Sequence, residues 1–243
     1  MPRAGKKSRK KKKKVSIKIR LGKILFDLIL LFLVLTVIPV LAYRVIDPPT
    51  TALVWVRWAE AGYAESRPKA FAYWTPLDKI SPHLIRAVVA AEDQKFFYHR
   101  GFDWQAIEAA IKTNLSTDRT IGASTISMQT ARNVFLWQER NWLRKSLEAW
   151  FTVLIEALWS KERILEVYLN VIEWGDGVFG CETGSRLYFK HPAATLSPVE
   201  AAKMAAVLPN PRRWSVVNPQ SYVTDRQSKI LRTMNRIRIP LRY

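Results

Sequence analysis

Cysteine is nearly absent from this chain: Cys181 is the single one among 243 residues. One thiol cannot form an internal disulfide, so a disulfide scaffold is excluded and cysteine usage gives no compartment. Histidine is almost as scarce. His83, His99 and His191 lie far apart and no HExxH is present, which argues against a zinc enzyme. A Gly-rich phosphate loop of the Walker type is missing, as are internal repeats. No alternating apolar run has turn chemistry on both sides, so strand signals are scarce. Acid is absent from residues 1–23, which hold twelve Lys/Arg.

That basic tail carries most of a formal net charge of +19 and leaves a net +7 for the remainder. The remainder is therefore still basic and suits an anionic partner or surface. The tail runs into ILFDLILLFLVLTVIPVLAY, Ile24 to Tyr43, with Asp27 as its one charge. An α-helix needs roughly 20 apolar residues to cross the hydrocarbon core. A cleaved leader has a shorter apolar stretch and a small-residue cleavage site, and Leu41-Ala42-Tyr43 makes a poor one. The expectation is an uncleaved single-pass anchor. The positive-inside rule puts residues 1–23 in the cytoplasm and the chain from about residue 45 outside it. A basic run also suits nucleic acid, but its place beside a membrane helix accounts for it, and no nucleic-acid partner is expected.

Residues 44–80 hold Pro48, Pro49, Pro68 and Pro76 and read as a linker with one short amphipathic, membrane-proximal helix. Helical signals dominate from residue 81. Ser81-Pro82 is a Ser N-cap with Pro at the first helical position, opening a helix through LIRAVVAAED. Further helices are expected at 103–114, 125–135 and 140–159, the last with Leu143, Leu147, Trp150, Leu154 and Leu158 on one stripe. Ser160 caps KERILEVYLN, Ser197-Pro198-Val199-Glu200 is a capping box, and a last helix is expected at about 222–236. The external part, 81–243, is expected to be one mostly α domain.

Four stretches could carry chemistry. In AAEDQKFFYHRG, residues 90–101, a continued helix would put Glu92, Phe96 and His99 on one face. Apolar rings beside a carboxylate favour its protonated form and suit it to acid–base work; the bland alternative is an exposed acidic helix end. In IGASTISMQTARN, 121–133, Gly122, Ser124 and Thr125 enter a helix that carries Gln129, Arg132 and Asn133. That surface suits a sugar or a diphosphate, or is an ordinary capped helix. In RKSLEAW, Arg144 and Lys145 lie four and three residues before Glu148. They form either a surface salt bridge of little worth or a carboxylate held by two cations facing an anionic leaving group. In ILEVYLNVIEWGDGVFG, Gly175, Gly177 and Gly180 read mainly as a structural loop.

Together and in this order, the four stretches resemble the glycosyltransferase domain of peptidoglycan polymerases. That family comprises the class A penicillin-binding proteins and the monofunctional transglycosylases. Glu92, Asp93, Phe96, His99 and Gly101 match EDxxFxxHxG. Gly122, Ser124, Thr125, Ile126, Gln129 and Asn133 match GGSTITQQxxKN. Arg144, Lys145 and Glu148 match RKxxE, and Ile164, Leu165, Glu166, Tyr168, Leu169, Asn170 and Gly175 match ILExYLNxxxxG. The resemblance covers about residues 50–240. No transpeptidase region is expected, and the monofunctional members are the nearer match. Ala123, Ser127, Met128 and Arg132 depart from the pattern, and Cys181-Glu182-Thr183-Gly184 replaces a commonly small, alanine-rich segment. Arg132 keeps the charge of the usual Lys but not its shape.

The resemblance implies a lysozyme-like, mostly α domain that polymerises lipid II into glycan with inversion at MurNAc C1. It implies Glu92 and Glu148 as catalytic carboxylates. It implies substrate binding by Asp93, Phe96, His99, Gly122, Ser124, Thr125, Gln129, Arg132, Asn133, Arg144 and Lys145. It further implies Mg²⁺ or Mn²⁺ dependence without naming ligands, a plasma (inner) membrane location with a periplasmic domain, and cell-division or elongation proteins as partners. Two rivals are a lytic, lysozyme-like hydrolase, which has no need of the RKxxE cations, and an inactive scaffold, which has no need of both glutamates.

Overall fold

The computed structural model describes residues 6–62, 73–117, 121–139 and 141–240, with side chains from residue 20 onward. The side chains of most of the basic tail, and Pro68 of the linker, lie outside the described residues. The chain divides into two units, Met1–Tyr43 and Arg44–Tyr243.

The first unit is one helix, α1, Lys6–Tyr43. Its segment Arg20–Tyr43 is long and apolar enough to cross a membrane; 24 residues at 1.5 Å each span about 36 Å. Pro39 sits inside the helix. Thr36 donates its hydroxyl proton to the Phe32 carbonyl at 2.8 Å, which keeps that polar group satisfied on an apolar helix.

Among its described residues, the second unit is built of helices and one hairpin. Its helices are α2 Ala52–Glu60, α3 Pro82–Glu92, α4 Trp104–Ser116, α5 Ile126–Phe135, α6 Trp142–Leu158 and α7 Lys161–Val171, then α8 Cys181–Phe189, α9 Pro198–Val207 and α10 Ser221–Met234. Strands β1, Glu173–Gly175, and β2, Val178–Phe179, pair antiparallel between α7 and α8. The caps act as expected. Ser81 accepts from the His83 N–H, Ser160 from the Arg163 N–H, and Ser197 and Glu200 form a complete capping box. Helices α3, α9 and α10 pack together, and α5 packs against both α6 and α7. The core is built from Leu84, Ile85 and Val88 of α3, Ile164, Leu165 and Leu169 of α7, and Met204 of α9, all fully buried. The alanines of α9 leave room for α3 and α10 to approach, as small residues do at close helix contacts.

Three details differ from the sequence reading. The glycine-rich stretch after α7 is a hairpin, too short for an alternating pattern and buried on both faces. Helix α8 holds Gly184, which lowers helix propensity; it packs close to Trp174 and Met204, where a Cβ would lie 2.9 Å from Met204 Cε and 3.4 Å from Trp174 Cβ. On α6 the buried face is Arg144, Glu148, Phe151, Thr152 and Ile155. The leucine stripe lies beside it, with Leu143 exposed, because the interior takes up the ion pair rather than the leucines.

Candidate active site

Helix α3 ends at Glu92. Asp93 leaves the helix at φ −162°, ψ 79°, and turns follow. The expectation that Glu92, Phe96 and His99 share a helix face is therefore corrected. The end of α3 instead delivers Glu92 to two other helices, α5 and α10. Glu92 Oε1 accepts from Arg226 Nη2 of α10 at 3.0 Å, and Oε2 accepts from Gln129 Nε2 of α5 at 3.0 Å. Arg226 Nη2 also donates to the Ala91 carbonyl at 3.1 Å. The partners of the carboxylate are thus a cation and an amide, not the expected aromatic wall. Its side chain remains 11% exposed.

Gln129 is itself held. Its Oε1 accepts from the Tyr168 hydroxyl of α7 at 3.1 Å, which aims the amide nitrogen at Glu92. Burial, with added repulsion from the Glu92 charge, pushes the Tyr168 hydroxyl well above its ordinary range. Tyr168 therefore stays a neutral donor, and the relay Tyr168 to Gln129 to Glu92 keeps one direction.

Asp93, Phe96 and His99 shape the loop behind Glu92. His99 Nδ1 accepts from the Gly101 N–H at 3.1 Å, so Nε2 carries the proton that it gives to Asp93 at 2.9 Å. Asp93 Oδ2 also accepts from the Ile126 N–H, at 3.0 Å, at the start of α5, where a negative charge complements the helix dipole. Phe96 is fully buried, stands edge-on to Phe97 and lies under the Lys161 ammonium at 4.4 Å. Thr125 caps α5 and donates to the Gly101 carbonyl at 2.6 Å. A cavity of about 220 Å³ opens in front, lined by Glu92, Lys95, Asp103, Gly122, Ser124 and Thr125 among others. The structure thus gathers Glu92, Asp93, Gly122, Ser124 and Thr125 around one opening.

The Arg144, Lys145 and Glu148 group is buried rather than superficial. Glu148 is 1% exposed; one carboxylate oxygen accepts from Arg144 Nη1 and the other from Lys145 Nζ. Lys145 is 44% exposed, so it carries charge toward solvent. Asn141 caps α6 by accepting from the Arg144 N–H at 2.8 Å. Among the described residues, no hydrogen bond joins this group to the Glu92 relay. With both oxygens of Glu148 taken by cations, the site does not suit a divalent metal, and among the described residues no group of three or more His, Cys, Asp or Glu could hold one.

A second cavity, about 150 Å³, is lined by Gln129, Tyr168, Arg57, Arg132, Asn133 and Glu173 among others. The guanidinium of Arg57 on α2 donates to Glu173 Oε2 at 2.9 Å and Glu60 Oε2 at 3.0 Å. Burial works against its charge; the two carboxylates outweigh burial and hold its pKa above the ordinary value. The departure at Glu182 is structural: its carboxylate accepts from the Ala193 N–H at 2.7 Å and from Arg186. Three residues now beside the site were not singled out for it by sequence reasoning. Arg226 stands in a helix with other basic residues and no local signal. Tyr168 was read only as part of a pattern, and Arg57 lay in the linker.

A partly buried carboxylate at the end of α3, held by side chains of α5 and α10 at the edge of a cavity, is the centre of an enzyme site on a mostly α, lysozyme-like domain. The family model described as Transglycosylase matches residues 63–235. A biosynthetic peptidoglycan transglycosylase of Rhodospirillum centenum is 51% identical over 219 residues, 90% of this chain and 91% of the relative. Proteins of the same description from Bdellovibrio bacteriovorus and Caulobacter vibrioides are 51% and 48% identical over 203 and 214 residues. These matches cover 84% and 87% of this chain, and 81% and 91% of the relatives. The chain belongs to the biosynthetic peptidoglycan transglycosylase family.

Proposed function

We propose that the protein is a peptidoglycan glycosyltransferase that polymerises lipid II, with Glu92 as general base. The observation that carries this reading is the Glu92 carboxylate, oriented by Arg226 and Gln129 at the mouth of a cavity. On substrate binding one oxygen of Glu92 exchanges its protein partner for the 4-hydroxyl of the acceptor sugar. That oxygen attacks C1 of the MurNAc at the reducing end of the growing chain while its proton passes to Glu92. The bond from C1 to the diphosphate oxygen breaks, and the electron pair leaves with undecaprenyl diphosphate. Attack and departure on opposite faces invert C1 from α to β, the geometry of an inverting glycosidase with sugar in place of water.

The leaving diphosphate needs charge stabilisation more than a proton, and Arg132, Arg144 and Lys145 supply it. Glu148 keeps Arg144 and Lys145 in place. Both reacting species are lipid-bound, which suits a single-pass anchor with its N-terminus in the cytoplasm and its catalytic unit on the periplasmic side of the plasma membrane. Helix α4 exposes Trp104, Ile111 and Leu115, spaced along one stripe, and offers apolar surface to a lipid chain. Cell-division or elongation proteins are proposed as partners on the resemblance alone.

The test is polymerisation of labelled lipid II by the purified protein, with and without Mg²⁺, beside Glu92→Gln. Long glycan from the wild type and none from the variant is expected. Absence of glycan from both, where a control polymerase works, would refute the reading. Cleavage of pre-formed glycan would replace it with a lytic one.

A further inference from the structure

Two donors of different kind hold Glu92. Oε1 accepts a guanidinium N–H from Arg226, which also anchors the Ala91 carbonyl, while Oε2 accepts a neutral amide N–H from Gln129. Parting Oε1 from Arg226 breaks a charge-assisted bond to a cation; parting Oε2 from Gln129 gives up a weaker one. Oε2 is therefore the oxygen that turns to the acceptor hydroxyl, and Gln129 is the partner that stands aside. A glutamine amide has a carbonyl end and an NH₂ end, and a half-turn exchanges them. Turned over, Gln129 would set its carbonyl against the Glu92 carboxylate. It would also offer the incoming hydroxyl a neutral acceptor that does not take up its proton.

Tyr168 opposes that half-turn from behind. It is 1% exposed on α7, which packs against α5, and its hydroxyl donates to Gln129 Oε1 at 3.1 Å. Burial, then the charges of Glu92 and Asp93, keep the proton on this hydroxyl; Arg132 and Arg226 pull the other way and are outweighed. We propose that Tyr168 is a positioning residue for the general base: by fixing the carbonyl end of Gln129 it makes the amide present N–H to Glu92 and leaves the carboxylate as the acceptor that the sugar hydroxyl meets. Tyr168 acts through Gln129 and touches no reacting atom. The proposal rests on the reading of Glu92 as base.

Full-length protein in detergent is assayed for kcat and KM on lipid II as Tyr168→Phe, Gln129→Leu and the double variant, each beside a thermal melt. Tyr168→Phe keeps the buried ring and is expected to lower kcat about tenfold without raising KM. In the Gln129→Leu background the same change is expected to alter kcat by less than about twofold, because the group through which Tyr168 acts is gone. The side-chain amide of Gln129 is assigned in isotope-labelled protein by its loss in Gln129→Leu. In the wild type its protons are expected to exchange with solvent at least about tenfold more slowly than those of the exposed Gln220, and to lose that protection in Tyr168→Phe. A folded Tyr168→Phe protein with kcat within about twofold of wild type, a KM that rises as much as kcat falls, or losses that multiply in the double variant each overturn the proposal. If Tyr168→Phe does not fold, the wild-type amide decides: exchange as fast as that of Gln220 overturns the proposal. Glycan made as well by Glu92→Gln as by wild type overturns the base reading and the proposal with it. An inactive Glu92→Gln beside an unaffected Tyr168→Phe overturns the proposal alone.

Discussion

Replacing Arg226 by methionine removes the cation from Glu92 while keeping a linear side chain of similar reach. In the wild type one guanidinium nitrogen bridges the Glu92 carboxylate at 3.0 Å and the Ala91 carbonyl at 3.1 Å, so the end of α3 and its terminal side chain are fixed by one group. The pair is only partly sheltered, Arg226 being 24% and Glu92 11% exposed. The loss therefore falls below that of a fully buried pair, at about 1–3 kcal/mol of stability. For a unit of this size that lowers Tm by about 2–10 °C. The kinetic loss is larger. With Gln129 as its remaining fixed partner, Glu92 samples several orientations, and kcat on lipid II is expected to drop about 10–100-fold, with KM changed little. Arg226→Lys keeps the charge without the planar fork and is expected to fall between. The assay is single-turnover polymerisation of labelled lipid II beside a thermal melt. A folded Arg226→Met protein with kcat within about twofold of wild type would refute the reasoning.

Gly101→Ala tests the loop behind the carboxylate. The glycine sits at φ +89°, and a Cβ there would meet Thr152 Cγ2 at 2.7 Å and Glu156 Cγ at 3.1 Å. Strain and overpacking together cost about 2–5 kcal/mol, and a thermal melt that shifts by less than about 2 °C would contradict this. A pH effect is expected far from the active site, where His191 Nε2 meets Glu200 Oε1 at 3.1 Å. The hydrogen bond that His191 donates to Glu200 raises the imidazole above its ordinary 6.5. Burial acts against Glu200, but bonds from Ser197 and His191 prevail and lower it below its ordinary 4.5. The raised histidine stabilises fully below pH 6.5 and loses its effect as pH rises through its folded value. The lowered glutamate stabilises above pH 4.5 and loses its effect as pH falls through its own. Both contributions are therefore whole between 4.5 and 6.5, and there His191→Gln is expected to lower Tm most. An imidazole that titrates by NMR at or below 6.5 would overturn this.

Much of the helical framework is legible from neighbouring residues. Ser81-Pro82, Ser160 and Ser197-Pro198-Val199-Glu200 set helix starts because a cap satisfies backbone N–H groups within three residues. The apolar run to Tyr43 is long enough to span a membrane by length alone. The spacing of Arg144, Lys145 and Glu148 puts the three on one helix face. What local spacing does not give is burial: two of those three charges lie inside the unit, and the leucines beside them lie nearer the surface. Helix α8 and the hairpin were equally hidden, since a glycine inside a helix and a three-residue strand leave no periodic pattern in the chain.

The sequence by itself determined where most helices begin and that one segment can cross a membrane, because these depend on composition and on contacts a few residues apart. Only the tertiary structure decided how Glu92 is held. Its cation comes from 134 positions away and its amide from 37, and the tyrosine that aims the amide lies 39 further along. Pairings at such separations form only when α3, α5, α7 and α10 close on a shared core, and no periodicity in the chain encodes which arginine will arrive there.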